Sequence, residues 1–522
     1  MSDNIYLVGF MAAGKSTVGR ALAKALNRKF VDMDEVLEAE MGLSIAEAFA
    51  RGGEAKFRAA ESTLLRRLSG RERLVVAAGG GAPEREDNRL VMRRSGKVVH
   101  LSADLGTCIA RLTAEGRAAR PLWTDEASLG RLFLRRQKAY ADCDVTVGVD
   151  GHGPGVIARM IMDGMIPEER FSVTLGSSEC PIVATFRAPE ALSRFVGSGK
   201  TAVLTDTNVS KLHLERYSVA FTSPFNVAVR PGERSKTLNH ARRMYEALVE
   251  RGFDRDDILV AIGGGVVTDL GAFVASTFKR GMGLVLVATT LLGCVDAAVG
   301  GKAAVNLGHV KNLIGSFTVP LGVILDLAAL RTLNRSHIRE GLVEAYKTGL
   351  VAAPELADFV EDELPSLMRG DQALLARVAV LSARAKASVV SQDFRESGLR
   401  RVLNLGHTVG HAVEGLSRFK ASHGAAVAIG IAVAAELSRA RGLLARGLAD
   451  KIVRTVHKIS PSKPALPSVD EAWALMTQDK KARSGRLVFV LLEDKGRAVC
   501  VDDVSRSELA EALRAVGVDH IG

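Results

Sequence analysis

Cysteine and long apolar runs are both scarce in this 522-residue chain, and each shortage excludes something. The five cysteines, Cys108, Cys143, Cys180, Cys294 and Cys500, are scattered, odd in number and never in C-x-x-C spacing. That excludes a disulfide scaffold and predicts reduced thiols in a cytoplasmic protein. The longest stretch of small apolar residues, GAAVAIGIAVAA at 424–435, is too short to span a bilayer and reads as a buried helix. The opening MSDNIYLVGF turns almost at once into a strand, without the charged and long apolar segments of a secretion signal. The formal net charge is +11, yet no run of five Lys/Arg and no basic stripe interleaved with aromatics occurs. Small anionic substrates drawn to basic clefts explain the charge equally well and are the preferred reading.

What is abundant points to an enzyme. Fifty-one glycines and a 47% hydrophobic fraction with only 5% aromatics suit an α/β protein with many tight turns. The length predicts two or three domains, and no internal repeat relates them.

The segment IYLVGFMAAGKSTVGRALAKAL is a short apolar run, a glycine loop and a helical pattern. The loop fits G-x-x-x-x-G-K-[ST] at Gly9, Gly14, Lys15 and Ser16, followed by Thr17. Backbone N–H groups opening a helix cradle phosphate oxygens, a lysine neutralises the transferred phosphoryl, and the hydroxyl binds Mg²⁺. FVDMDEV reads as a second strand with Asp32 and Asp34 at its end, aimed the same way by i, i+2 spacing. One can assist Mg²⁺ while the other orients an acceptor hydroxyl. Arg58 in EAKFRAAE, the Gly79, Gly80, Gly81 turn ending LVVAAGGGAP, Arg120 in RAARPL and Arg136 in RLFLRRQKAYADCD complete the polar positions. Arg135 reads as part of a solvated helix face.

In this order the motifs resemble shikimate kinase over residues 1–165. The resemblance implies that Asp34, Arg58, Gly79, Gly80, Gly81 and Arg136 bind shikimate, the arginines taking its carboxylate. It implies that Arg120 closes over ATP, that Asp32 helps hold Mg²⁺ through water, and that ATP phosphorylates the 3-hydroxyl.

From residue 172 strands and helices alternate. TAVLTDTNV is a strand ending in Asp206 and Asn208, VRPGERSKT carries Glu233 and Lys236, and DILVAIGGGVVTDLGAFVAS is a buried strand, a glycine turn at Gly263, Gly264 and Gly265, and a helix start. Such a turn can set a pyrophosphate on a helix N-terminus, although a tight turn without ligand would read the same way. Arg280, Asp296, Lys302, Lys311 and Asn312 then stand in apolar sequence, where unpaired burial would be costly. Beyond 330 the pattern is helical. Glu340, Glu344 and Lys347 fall on one helix face, Lys386 follows, and Arg400, Asn404, His407 and His411 at i, i+4, i+7 and i+11 form another, with His423 twelve residues on. His407 and His411 alone could be a metal pair of the protease type, lacking its glutamate, or two polar residues on a half-exposed helix.

The constellation resembles 3-dehydroquinate synthase over about residues 172–522. The resemblance implies Glu344, His407 and His423 as ligands of zinc (or cobalt), with His411 facing substrate. It implies NAD at Asp206, Asn208, Glu233, Lys236, Gly263–Gly265, Asp269, Thr289, Thr290, Lys302 and Lys311. It implies heptulosonate 7-phosphate at Arg280, Asp296, Lys302, Lys311, Asn312, Glu340, Lys347, Lys386, Arg400, Asn404, His411 and one lysine of DKK, Lys480 in preference to Lys481. Ala297, Ala298 and Ala303 stand where small hydroxyl residues are common in that family, and Val310 where glycine usually precedes Lys-Asn. The rival readings are another sugar-phosphate cyclase or a polyol dehydrogenase, or a non-catalytic module in one half.

The expected architecture is a P-loop, nucleoside-monophosphate-kinase-like parallel-sheet domain (1–166), a Rossmann-like α/β NAD-binding domain (167–330) and a mainly α-helical metal-binding domain (331–522). The expected partners are ATP-Mg, shikimate and heptulosonate 7-phosphate, without nucleic acid or membrane, in a homodimer through the second half.

Overall fold

A computed structural model describes residues 3–112, 126–197, 199–308, 310–417, 421–460, 462, 468–482 and 487–517. The chain divides into two compact units, Met1–Pro167 and Glu168–Gly522.

The first unit is built on five parallel strands, Asn4–Val8 (β1), Lys29–Asp32 (β2), Leu74–Ala77 (β3), Gly96–Ser102 (β4) and Val145–Gly148 (β5), in the order β2-β3-β1-β4-β5. β1 and β3 are buried along their whole length, as a parallel sheet covered on both faces requires. Tyr6, Leu7, Leu22, Leu65 and Leu101 fill the core. Because β1 pairs with β3 on one side and β4 on the other, the chain leaves β1 at a switch point in strand order, where a crevice opens beyond the strand ends. The glycine loop occupies that place and leads into the helix Lys15–Leu26. The strand carrying Asp32 ends at that residue, and Asp34 lies in the first turn of the helix Met33–Met41. The expectation that i, i+2 strand spacing aims both carboxylates is therefore corrected: Asp32 caps the helix by accepting from the Asp34 N–H at 3.0 Å, which turns the chain between them.

The second unit holds a seven-stranded sheet in the order β6-β7-β14-β11-β10-β8-β9, formed by Glu169–Leu175, Ser178–Thr185, Thr201–Asp206, Phe225–Val229, Ile258–Gly263, Gly283–Ala288 and Gly322–Asp326 (β6 to β11, then β14). β6 and β7 pair antiparallel and the rest parallel. Lys302–Leu307 (β12) and Val310–Phe317 (β13) make a separate hairpin. β10 lies between β8 and β11, which puts a second crevice at its end, beside the glycine turn.

Helices dominate after residue 334, with Arg335–Ala352, Gln372–Gln392, His407–Leu416 and His423–Ala440 central. GAAVAIGIAVAA lies in the last of these and is buried throughout. Residues 400–411 do not share one helix face as expected: Leu399–Asn404 is a 3₁₀ turn, and Gly406, at φ 78°, breaks the chain before the helix starts at His407. Only glycine takes that conformation without strain. Among the described residues no helix is long and apolar enough to cross a membrane.

Candidate active sites

In the first unit the loop after β1 folds back on itself. Lys15 Nζ donates to the carbonyls of Gly9 and Phe10 at 2.9 and 3.0 Å, and Gly14 caps the helix at φ 93°. Ser16 Oγ donates to Asp32 Oδ2 at 2.5 Å, so two hard oxygens adjoin the loop, a donor pair suited to Mg²⁺. Thr17 stands exposed in the same first helical turn. The glycine turn after β3 gathers the other side chains. A Cβ on Gly79 would lie 2.3 Å from Glu61 Oε1 and 3.1 Å from Asp34 Oδ1; on Gly80, 3.4 Å from Arg136 Nη1; and on Gly81, 2.3 Å from Arg58 Nη2. Asp34, Arg58 and Arg136 thus converge on Gly79–Gly81, while Arg120 lies outside the described residues.

Two carboxylates in this site went unread in the sequence. Glu61, wholly buried, accepts from Arg58 at 2.8 Å, and its Oε1 has no partner; burial pushes its carboxyl pKa up against the pull of Arg58. Glu84 accepts from Arg136 Nε at 2.6 Å. Beneath the loop, His100 stacks on Tyr140, whose hydroxyl donates to Gly80 O at 2.6 Å. Burial, helped by the charge of Lys15, pushes His100 down to about 4.

In the second unit the turn Gly263–Gly265 ends β10 and opens the helix Gly265–Thr277. None of the three has a left-handed φ; they are glycines for close approach, since a Cβ on Gly264 would meet Thr290 at 3.0 Å and one on Gly265 would meet Ala297 at 3.2 Å. Thr289 Oγ1 is buried beside this turn without a partner. A bare helix N-terminus and an orphan hydroxyl fit a dinucleotide pyrophosphate. Asp206 spends Oδ1 capping its helix through the N–H groups of Asn208 and Val209, and Asn208 is exposed. Lys236 pairs with Asp269 and donates to Asn312 Oδ1 at 2.5 Å, while Glu233 accepts from Asn306 at 2.8 Å.

A second cluster lies among the helices. Glu344 is completely buried; Lys347, His407 and His423 crowd its carboxylate, yet neither oxygen has a hydrogen bond of good geometry. One ligand atom from each of Glu344, His407 and His423 falls within 4.8 Å of the others. One carboxylate, two imidazoles and orphaned oxygens are the donor set of a catalytic zinc with open positions. Burial opposes the charge of Glu344, but Lys347 and the histidines outweigh it and hold its pKa below the usual range. Burial and Lys347 push His407 down to about 3, whereas at His423 Glu344 and Glu414 overcome burial and push it up to about 10. Lys386 donates to Asp296 Oδ1 and O, both at 2.6 Å; burial pushes this lysine down to about 8.

His411 is not in the triad. It is exposed, and its ring meets that of His407 edge-on at 5.3 Å between centroids. Glu340 packs under Gly424, whose Cβ would lie 2.7 Å from its Cα. Arg400 is buried and donates to the carbonyls of Gly300 and Phe394. Asn404 donates to Glu396 at 2.6 Å, and Lys302 pairs with the same carboxylate. Lys311 pairs with Glu414 at 2.9 Å. Arg280 is exposed in a turn at φ 69° and joins none of these groups by a described hydrogen bond or ion pair; the Lys480 side chain lies outside the described residues. Glu396 and Glu414 are further carboxylates missed in the sequence.

Fold and sites together define a two-enzyme chain: a P-loop phosphotransferase unit, then a Rossmann-like unit with a buried glutamate–histidine cluster. Family models agree: shikimate kinase matches residues 11–165, the 3-dehydroquinate synthase N-terminal domain 226–340 and its C-terminal domain 341–482. A bifunctional shikimate kinase/3-dehydroquinate synthase from Thermotoga maritima is 33% identical over 519 residues, covering 97% of this chain and all of the relative. A 3-dehydroquinate synthase from Pelotomaculum thermopropionicum is 39% identical over 358 residues, 66% of this chain and 96% of that protein. Among solved structures, the 2-epi-5-epi-valiolone synthase of Streptomyces hygroscopicus subsp. jinggangensis, with NAD⁺ and Zn²⁺ bound, superposes with a TM-score of 0.62 at 26% identity, covering 66% of this chain and 98% of its own. The chain belongs to the bifunctional shikimate kinase/3-dehydroquinate synthase family. It is an enzyme of the shikimate pathway with one domain set for each activity.

Proposed function

We propose how the two activities divide among these residues. In the kinase unit the N–H groups of Gly9–Thr17 and Lys15 hold the phosphates of ATP, Ser16 and Asp32 hold Mg²⁺, and Arg120 closes over the nucleotide. Arg58 and Arg136 grip the shikimate carboxylate, and Asp34 orients the 3-hydroxyl and takes its proton as phosphoryl transfers. The convergence of Asp34, Arg58 and Arg136 on one glycine turn carries this reading.

In the synthase unit, residues 167–330 form the NAD domain and 331–522 the metal and substrate domain. Gly263–Gly265, Thr289 and Thr290 take the pyrophosphate; Asp206, Asn208, Glu233, Lys236, Asp269, Lys302 and Lys311 complete the NAD site. Glu344, His407 and His423 hold zinc. When bound, zinc polarises the hydroxyl to be oxidised and NAD stores its hydride until it is returned. Lys347, Lys386 and Asp296 sit beside the metal ligands, so they orient the substrate and hold its charge there. Arg280, Asn312, Glu340, Arg400, Asn404, His411 and Lys480 supply the remaining contacts to heptulosonate 7-phosphate, which loses phosphate to give 3-dehydroquinate.

A cytoplasmic homodimer through the synthase unit accompanies this reading. Exposed Leu307, Val310, Leu313 and Phe317 on the β12–β13 hairpin support it as a surface that needs a cover.

The test offers the purified chain each substrate separately and scores ADP or inorganic phosphate. Lys15→Ala is expected to abolish shikimate-dependent ADP formation and to leave phosphate release near wild type. His407→Ala is expected to do the reverse. If both activities fell together in either folded variant, the two sites would not be separate.

A further inference from the structure

The two arginines assigned to the shikimate carboxylate are each backed by a carboxylate. Arg58 has Glu61; Arg136, only 2% exposed, has Glu84. Glu84 takes the Nε edge of Arg136, while Nη1 lies against Gly80 and Nη2 is buried without a partner. The second oxygen of Glu84 pairs at 3.1 Å with Arg135, an exposed residue that the sequence alone assigns to a solvated face. Glu84 itself is firmly placed. It closes the short 3₁₀ turn Ala82–Glu84 directly after the glycines, and Asn88 and Arg89 hold that turn by donating to Ala82 O and Pro83 O at 2.9 and 2.8 Å.

We propose that Glu84 is a positioning residue for substrate binding: by occupying Nε of Arg136 it turns the terminal nitrogens toward the glycine turn, and Arg135 locks it in that pose. The inference rests on the kinase reading above. A buried guanidinium seeks acceptors for its donors, because an unpaired buried cation is costly. With Glu84 absent, a competing charged acceptor is Glu61, whose Oε1 is buried, unpartnered and set against the neighbouring glycine of the same turn. A guanidinium that moved onto Glu61 would lose its aim at the substrate. An arginine held by its Nε edge instead offers its two terminal N–H groups to a carboxylate, as one half of a paired grip.

The test is steady-state kinetics of the full chain with shikimate and ATP varied in turn. Glu84→Ala is expected to raise the shikimate KM about 10-fold, the loss of one charged hydrogen bond. Glu84→Gln, which keeps an acceptor and the volume, is expected to raise it about 3-fold, and Arg135→Ala about 2-fold, on the same scale. In all three the ATP KM, kcat and phosphate release by the synthase unit stay within about twofold of wild type, because the interaction serves ground-state binding of one substrate. In an Arg136→Ala background, Glu84→Ala is expected to add nothing. An unchanged shikimate KM in Glu84→Ala, a full additional loss in the Arg136→Ala background, or parallel rises in both KM values with a lower melting temperature would each overturn the inference. Failure of the underlying reading looks different: Arg136→Ala alone would then leave the shikimate KM unchanged.

Discussion

A histidine becomes a ligand or a bystander according to what holds its other nitrogen. His407 presents Nδ1 to Leu405 O at 3.3 Å, which leaves Nε2 facing Glu344 Oε1 at 3.8 Å. His423 is held likewise between Glu414 and Glu344, whereas His411, one turn on from His407, is exposed and lies outside the cluster of ligand atoms. The two alanine variants are therefore expected to fail differently. His407→Ala leaves two protein ligands, so zinc should be lost on dialysis against a mild chelator and synthase activity with it. His411→Ala should keep nearly stoichiometric zinc and lose turnover. Metal analysis of both proteins decides: equal zinc loss would make the pair protease-like, and full retention in both would remove His407 from the site. Residues of this kind were legible in the sequence because histidines and lysines are conspicuous in apolar surroundings. Glu61, Glu84, Glu396 and Glu414 were not. A glutamate on a helix or turn reads as a solvated face, and only the cation the fold sets opposite each one, Arg58, Arg136, Lys302 and Lys311, reveals its task.

Elements bring the triad together through a helix crossing that depends on glycine. A Cβ on Gly430, in the helix His423–Ala440, would lie 1.8 Å from Gly406 O, and one on Gly406 would lie 2.7 Å from Ile431 N. This contact sets the start of the His407–Leu416 helix against its neighbour, so both histidine ligands open helices that meet closely. Gly430→Ala forces the pair apart. It is expected to destabilise the synthase unit by about 1–3 kcal/mol, as overpacking does, and to weaken zinc retention. Gly447→Ala, in a helix with open space around it, should leave stability unchanged or slightly raised. Urea unfolding followed by zinc release compares them, and equal midpoints would mean the crossing yields without cost. Periodicity alone placed the helices and the glycine turns well. It failed at Asp34 and at residues 400–411, where a cap and a left-handed glycine change the chain direction between residues that a regular strand or helix would align.

At the scale of the whole chain, two units with separate cores make unfolding a sum of events, not a single transition. Their responses to acid should also differ. His100, 6% exposed in the kinase unit, is pushed down to about 4 from an ordinary 6.5, first by burial and then by the charge of Lys15. Between those values the unfolded chain binds the proton and the folded unit does not. The stability this histidine contributes as a neutral ring is therefore fully present above pH 6.5 and is lost as pH falls toward 4, by at most about 3 kcal/mol at 1.36 kcal/mol per pKa unit. Calorimetry of the full chain without nucleotide is expected to show a kinase transition, identified by its upward shift with shikimate and ATP, that moves down markedly between pH 7 and 5. His100→Phe removes the titrating group while keeping a ring against Tyr140, and should flatten that dependence. Lys15→Ala, by removing one of the two causes, should reduce it only in part. If the kinase transition of His100→Phe kept the wild-type slope with pH, the acid sensitivity would have to come from another group, and the buried ring would be an inert part of the core.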